Sequence, residues 1–482
     1  MKMPVTRALT MIILLISTSH AAPTQPNVLF IAIDDLRTEL GCYGHAHVQS
    51  PHLDRLAAQS VLFNNHFVQV PTCGASRYSL LTGRSPLQTG ATRGNNHFFD
   101  GTTALKTRTE FAQTMPELFR RNGYKTVSIG KISHTADGKV FAYDGTGDGR
   151  DEMPNAWDEL ATPYGAWKRG WGVFFAYENG IHREDGSGYR PLMEFTVGKD
   201  TDLPDGLNAE VAVQKLRELE EAGQPFFMGL GFYKPHLPFV APRQDWEALA
   251  HLDSPDAPNP NQTDSLYHNK ESGEFYNYDF PFEKSHPLAP EARMQARKAY
   301  WACVRYVDRQ VGKVLDALDE LGLRENTIIV VWGDHGWNLG DTQHWAKHVP
   351  QERALKSTLI INAPGITPQN GAVTNSIVQT LDLYPTLIDL CQLKSTDTQH
   401  PLNGRSLRPI LTHPKKSIHK TIISHWRDVV TIRNKQYRLI ARLKDNDYID
   451  PQLYDMQESP DPIKNLVAQN PKRTKKLLKQ LP

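Results

Sequence analysis

Apolar residues run almost without interruption through Asn27-Val28-Leu29-Phe30-Ile31-Ala32-Ile33 and stop at Asp34-Asp35. A run of this kind predicts a strand buried on both faces of a parallel sheet. The same pattern returns at 124–130, 225–232 and 326–332, and each run passes directly into polar residues: Lys131-Ile132-Ser133-His134, Tyr233-Lys234-Pro235-His236 and Gly333-Asp334-His335-Gly336. Between these runs the period changes. Over 292–321, Tyr300, Cys303, Val304, Val307, Val311, Val314, Leu315 and Leu318 recur at three- and four-residue spacing, and Gly322 ends the pattern, which predicts a long amphipathic helix with Cys303 in the core. Shorter helices are expected at 50–59, 114–122, 207–222 and 381–391. Strands alternating with helices predict an α/β domain with a doubly wound, mostly parallel sheet flanked by helices.

After about residue 404 the pattern shortens to alternating strands at 420–426, 429–433, 436–443 and 452–456, followed by a basic helix at 471–481. A small C-terminal α+β subdomain with an antiparallel sheet is expected there. The implied organisation is a leader over 1–21, a catalytic domain over 22–403 and a C-terminal subdomain over 404–482. The intervals 141–205 and 250–290 are rich in Gly, Pro, Asp and Asn and read as long loops. The first carries Trp157, Trp167 and Trp171, rings that either stack on sugars or pin the loop to the body. The second contains the sequon Asn261-Gln262-Thr263.

A net charge of +1 over 482 residues, 22% of them charged, gives no basis for nucleic-acid binding, so any attraction for a polyanion is local. Four cysteines, Cys42, Cys73, Cys303 and Cys391, are too few for a disulfide framework, and no pair has metal-ligand spacing. At the start, Lys2 and Arg7 precede an apolar stretch over 9–16, with Ser19-His20-Ala21 offering a cleavage site. This reads as an export signal cut after Ala21, too short for a permanent span. The mature protein is expected to be periplasmic or secreted, without stable membrane insertion.

The chemistry gathers around Pro71-Thr72-Cys73-Gly74-Ala75-Ser76-Arg77 and Leu81-Thr82-Gly83-Arg84. A thiol at the start of a helical run, with Arg77 one turn on, is expected to favour negative charge at position 73 and to collect an anion; a packed thiol is the plain alternative. Open parallel sheets place their ligand crevice at the carboxyl ends of the strands, so the Cys73 loop and the four polar strand tails can converge. Asp34, Asp35 and Asp334 make an oxygen-rich shell suited to Ca²⁺ or Mg²⁺, to which His335 adds a nitrogen.

Cys-x-Ala-x-Arg followed by Thr-Gly-Arg resembles the pattern of type I sulfatases, the formylglycine-dependent branch of the alkaline phosphatase superfamily. Leu453-Tyr454-Asp455 with Ser459-Pro460-Asp461 and Asn465-Leu466 resembles the C-terminal ending of that family. The likeness is nearest to the iduronate-2-sulfatase branch, where Lys131 and His134 match a Lys-x-x-His spacing. It implies an alkaline phosphatase-like fold and oxidation of Cys73 to formylglycine (3-oxoalanine) by a separate maturation enzyme. It also implies Ca²⁺, with Mg²⁺ the alternative, on Asp34, Asp35, Cys73, Asp334 and His335. Arg77, Lys131 and Lys347 then neutralise sulfate, His236 protonates the departing sugar oxygen, and His134 takes a proton from the second hydroxyl of the hydrate so that sulfate leaves and the aldehyde is restored.

The implied substrate is a sulfated oligosaccharide or polysaccharide fragment. Candidate substrate contacts are Arg93, Asn95, Asn96, His97, Arg243, His344 and Trp345, with the 141–205 insertion and His425-Trp426-Arg427 beside them. The Tyr-Trp-Arg stretch of iduronate-2-sulfatase is replaced here by Gly94-Asn95-Asn96-His97-Phe98-Phe99, a departure from that sugar. Two alternatives stand next to this reading: a phosphonate monoester or phosphodiester hydrolase of the same superfamily, and a non-catalytic sulfated-glycan binder with unmodified Cys73.

Overall fold

Every residue of the first apolar run is buried, and the run forms strand β1 (Asn27–Ile33). The computed structural model describes residues 25–482 apart from 253, 263–264, 268–271, 458 and 460; the expected leader, the end of the sequon at Thr263 and Pro460 of the C-terminal motif lie outside the described residues. Strand β1 sits inside an eight-stranded sheet with β2 (Val61–Phe67), β3 (Lys125–Ile129), β4 (Glu159–Leu160), β5 (Phe226–Phe232), β6 (Thr327–Gly333), β7 (Leu359–Asn362) and β8 (Ala372–Gln379). Their spatial order is β8-β2-β7-β6-β1-β5-β3-β4. All pairings are parallel except those of β7, which runs antiparallel to β6 and β2.

Alternate residues of β1 feed two cores, as the period of a strand requires. Leu29, Ile31 and Ile33 pack with α1 (Pro51–Ala57), α4 (Pro204–Ala222) and α5 (Pro290–Glu320), and Cys303 lies in that layer. Val28, Phe30 and Ala32 pack with α2 (Cys73–Thr82), α3 (Met115–Arg121) and α6 (Leu383–Cys391). The doubly wound reading holds. Strands β2, β7 and β8 were not expected from the pattern: β2 carries Asn64-Asn65-His66, β7 has four residues, and β8 is broken by a register shift between Thr374 and Ile377.

The C-terminal meander comprises β9 (Thr421–Trp426), β10 (Val429–Asn434), β11 (Tyr437–Lys444) and β12 (Asp447–Asp455), antiparallel throughout. Strand β12 starts five residues before the expected 452 because Asp447-Tyr448-Ile449 pair with the end of β11. The basic helix α7 (Pro471–Leu478) lays Leu477 against the meander. Trp167 and Trp171 are buried and Trp157 packs over Phe227, so all three rings fasten the 141–205 interval to the body. All four cysteines are free, and no helix among the described residues is long and apolar enough to cross a membrane.

A buried ion triad ties the meander to the main sheet. Glu352 accepts from Arg433 Nε at 3.1 Å and Arg438 Nε at 2.8 Å. Burial raises the Glu352 carboxyl, but the two guanidiniums outweigh it and bring it from 4.5 down to about 2. Burial presses Arg438 in the opposite sense; with two cations on one carboxylate the triad stays ionised near neutral pH. The stabilisation from Glu352 is therefore complete above about pH 4.5 and lost as pH falls toward 2. Glu352→Gln is expected to cost about 3 kcal/mol or more, because it strands two buried cations, and to flatten the stability curve between those pH values. Urea unfolding across pH checks both, and a variant as stable as the parent overturns the assignment.

Candidate active site

Register sets where the polar tails emerge. Ile33 is level with Phe232 on one side and Gly333 on the other, so Asp34-Asp35, Tyr233 to His236 and Asp334-His335 leave the sheet at one height. Ile129 is level with Leu230 and delivers Lys131 and His134 beside them. Strand β2 points the same way, and its tail leads to α2, whose first residue is Cys73. The thiol rests 3.4 Å from Asp34 Oδ1 and 3.3 Å from His335 Nε2. Gly74 is required at the next position: a Cβ there would lie 2.2 Å from the Asn95 backbone.

Asp34, Asp35, Cys73 and His335 are all buried, and each offers a ligand atom within 4.8 Å of the other three. His335 Nδ1 faces the Gly336 carbonyl at 2.9 Å and must donate to it, which leaves the Nε2 lone pair aimed into the cluster, as a metal ligand requires. Asp35 Oδ2 is buried without a hydrogen-bond partner among the described residues. Asp35 also holds φ at 61°, an uncommon conformation for a residue with a side chain; its N–H donates to Asp334 Oδ1 at 3.0 Å and its carbonyl accepts from Tyr300 at 2.8 Å. Asp334 stands at the edge of the cluster, 3.7 Å from His335 Nε2, with its other oxygen on Arg77 Nε at 2.9 Å. These donors suit a divalent cation that accepts oxygen and imidazole.

Three cations neutralise the carboxylates. Lys131 Nζ lies 2.6 Å from Asp34, and Lys347 Nζ lies 2.8 Å from Asp35 and 2.7 Å from Glu274. Arg77 bonds Asp334 and the carbonyls of Lys131 and Ile132. Burial raises Asp34, but Lys131 and Arg77 together hold it well below the usual carboxylate range. For Asp35 burial prevails: with Asp34 alongside, it lies well above that range despite Lys347. Lys347 is held charged by Asp35 and Glu274 against its own burial. Three fixed cations thus face four carboxylates, and the one least satisfied is a cluster member with an unpartnered oxygen.

The surroundings of Cys73 oppose the negative charge expected at that position. Burial, followed by the charge on Asp34, pushes the Cys73 thiol up to about 12, and Lys131 and Lys347 do not compensate. Arg77 donates from Nε to Asp334 and from Nη1 to the carbonyls of Lys131 and Ile132, while its Nη2 is buried 3.6 Å from Asp34 Oδ1 with no hydrogen-bond partner among the described residues.

His134 and His236 both reach the crevice. His134 is buried beside Trp171, and burial followed by Lys131 holds it well below the ordinary histidine range. His236 packs on Phe174, with Nδ1 2.6 Å from the Leu237 carbonyl and Nε2 3.3 Å from Glu274. Burial and Lys347 bring it down to about 3.

The candidate substrate contacts divide. Asn95 is spent on the helix start, where its Oδ1 accepts from Gly74 N at 2.9 Å. His97 bonds back to the Arg93 carbonyl at 2.7 Å, and the side chains of Arg93 and Asn96 are exposed on the same loop. Trp345 is stacked on Phe275 at 4.2 Å and His344 is buried next to Thr342, so both are packing residues in this structure. Arg243 is exposed at the start of helix Arg243–Ala250, which packs on α5.

Two crevice residues were missed. Glu274 bridges Lys347, His236 and His348 from inside the 250–290 interval, where no periodicity marks it. His348 contacts Thr72 at 3.2 Å and stacks on Trp426 at 5.0 Å; its adjacency to Lys347 was the available signal.

Residues 26–393 match the family model described as Sulfatase, and residues 333–482 match the one described as N-sulphoglucosamine sulphohydrolase, C-terminal. Iduronate 2-sulfatase of Mus musculus is 32% identical over 413 residues, which cover 78% of this chain and 70% of the relative. A sulfatase of Formosa agariphila is 33% identical over 388 residues, 77% of this chain and 70% of the relative. Phosphonate monoester hydrolase from Silicibacter pomeroyi superposes with a TM-score of 0.74 at 24% identity, over 95% of this chain and 94% of its own. A protein solved with D-glucosamine-2-N,6-O-disulfate superposes with a TM-score of 0.70 at 22% identity, over 95% and 97%. At these identities the structural likeness is one of fold.

If the cluster holds Ca²⁺, chelation is expected to lower the melting temperature of the protein and Ca²⁺ to restore it, since a ligand at a hundredfold excess over Kd adds about 2.7 kcal/mol. Asp35→Asn, which keeps a side chain tolerant of positive φ, is expected to abolish that response. A melting temperature indifferent to chelator overturns the assignment.

Proposed function

Because the chain belongs to the sulfatase family and is a sulfuric ester hydrolase, we propose that it cleaves a sulfate ester on a sulfated carbohydrate through a formylglycine made from Cys73. The observation that carries this reading is the meeting of Cys73, the carboxylates of Asp34 and Asp35, and the His335 imidazole within 4.8 Å, ringed by Lys131, Lys347 and Arg77. Asp34, Asp35, Asp334 and His335, with the residue at 73, would hold Ca²⁺ or Mg²⁺. When present, the hydrated aldehyde supplies the attacking hydroxyl, and the divalent ion supplies Lewis-acid stabilisation of negative charge.

The remaining work falls to the side chains. A sulfate ester is a dispersed anion, and its transfer depends on positioning and on charge neutralisation. Lys131 and Lys347, whose ammonium groups reach the cluster, and Arg77, whose Nη2 has no hydrogen-bond partner among the described residues, bind the sulfate oxygens. His236 is fixed by its Nδ1–H on Leu237, so Nε2 is the atom that hands a proton to the departing alcohol. Entry of an anionic ester opposes the effect of Lys347 on this ring, and Glu274 works in the same direction. His134, held neutral by burial, takes the proton that lets sulfate leave. Water supplies the oxygen and the proton that balance the products, an alcohol and inorganic sulfate.

The protein is read as exported through its first 21 residues, with a formylglycine-generating enzyme as its maturation partner. Residues 22–403 form the catalytic unit and 404–482 its C-terminal subdomain. Iduronate 2-sulfatase is among the relatives named above and one structural neighbour was solved with a disulfated glucosamine as its substrate, which favours a sugar sulfate over the alternative phosphonate or phosphodiester.

Cys73→Ala is expected to abolish release of inorganic sulfate. His236→Ala is expected to lose more on a sugar sulfate than on 4-nitrophenyl sulfate, whose leaving group needs no proton, with the difference on the order of 100-fold. Mass spectrometry of the tryptic fragment containing residue 73, from protein matured in its own host, checks the modification. Intact cysteine there without sulfate release, or faster turnover of an aryl phosphonate than an aryl sulfate, overturns the reading.

A further inference from the structure

The site described so far does not use Arg183 and Arg190 of the 141–205 interval. Arg183 and Arg190, with Glu184, Glu274, Asn277 and Tyr278, line a cavity of about 250 Å³. The cavity adjoins the leaving-group side of the crevice through Glu274, whose carboxylate meets Lys347 at 2.7 Å and His236 at 3.3 Å. A second connection runs through Phe175: its ring stands 6.0 Å from the His236 ring on one side and 3.4 Å from the Arg183 guanidinium on the other.

Arg183 is immobilised. Besides resting on Phe175, it donates to the Tyr278 hydroxyl at 2.9 Å and pairs with Glu184 at 2.7 Å. Two arginines and two glutamates line the cavity, and they are not equally partnered. Glu184 is answered by Arg183 and Glu274 by Lys347, whereas Arg190 has no side-chain partner among the described residues and only its backbone carbonyl is engaged, by Asp279 N–H at 3.0 Å. The Arg190 guanidinium is thus the unpaired charged group of the lining, a planar group whose paired N–H donors match the oxygens of an oxyanion, and the Asn277 amide offers further donors.

We propose that this cavity is a subsite for a second oxyanion on the substrate, a carboxylate or another sulfate, bound by Arg190 against the fixed Arg183. The inference rests on the sulfatase reading and names its substrate as a sugar carrying at least two anionic groups. Glu274 is the partition between the two halves: it holds Lys347 and faces His236 on one side and closes the anion cavity on the other. The subsite therefore governs affinity for the sugar and not the transfer step.

The test is steady-state kcat/KM for the parent enzyme, Arg190→Ala and Arg190→Lys. The substrates are 4-nitrophenyl sulfate, a sugar monosulfate, the same sugar with an added carboxylate, and the same sugar with an added sulfate. The parent is expected to prefer one of the doubly anionic sugars, which identifies the oxyanion. Arg190→Ala is expected to lower kcat/KM on that sugar about tenfold or more beyond its effect on the aryl sulfate, as loss of a charged hydrogen bond does, and chiefly through KM. Arg190→Lys should recover part of the loss. An equal loss on every substrate, or no added loss on the doubly anionic sugars, overturns the subsite. Failure of the parent to release sulfate from any of the four overturns the sulfatase reading beneath it.

Discussion

The structure depends on the pairing of ionised groups that have been taken out of water at the ends of the central strands. Asp34, Asp35 and Asp334 are fully buried, as are the ammonium and guanidinium groups that meet them. An unpaired charge in such surroundings costs several kcal/mol, and a pair is tolerated only where geometry and hydrogen bonds compensate for the lost water. That condition explains why so many contacts converge on so few atoms. Asp34 is shared between Lys131 and Arg77, and Lys347 is shared between Asp35 and Glu274.

The fold meets this condition through register. Three neighbouring strands end on one row, so their polar tails enter the same space without any loop having to reach for it. The chain then turns sharply at Asp35, and its unusual backbone angle is held by Tyr300 from α5 and by Asp334 from the adjacent strand. Around the cluster an aromatic wall of Trp171, Phe174, Phe175 and Trp337 covers the charges: Lys131 lies over Phe174 at 4.2 Å and Lys347 over Trp337 at 5.0 Å. A low-dielectric wall strengthens every interaction it encloses, and burial, with the charge on Asp34, is what drives the Cys73 thiol up, not down.

Much of this was legible in the residues. Continuous apolar runs marked β1, β5 and β6, because a strand covered on both faces has few polar positions to hide, and β3 was read from a shorter run in which Lys125, Thr126 and Ser128 are interspersed with apolar residues. Three-and-four spacing marked α5. The polar tails after those strands named Asp34, Asp35, Lys131, His134, His236, Asp334 and His335, all of which reach the crevice. The pattern was silent on β2, β7 and β8, whose asparagines, brevity and bulge disguise the period, and on Glu274, which belongs to a four-residue helix in an interval without periodicity.

The sequence by itself determined the layered α/β plan and the chemical inventory, since burial periodicity and the choice of acid, base or thiol are local properties of the chain. Tertiary structure alone decided how that inventory is used. Asn95 became a helix-start acceptor, Trp345 a stacking ring, and the Cys73 thiol a group raised by its surroundings. Those outcomes depend on which atoms approach from segments tens or hundreds of residues away and on how much water they exclude, quantities that no local pattern carries.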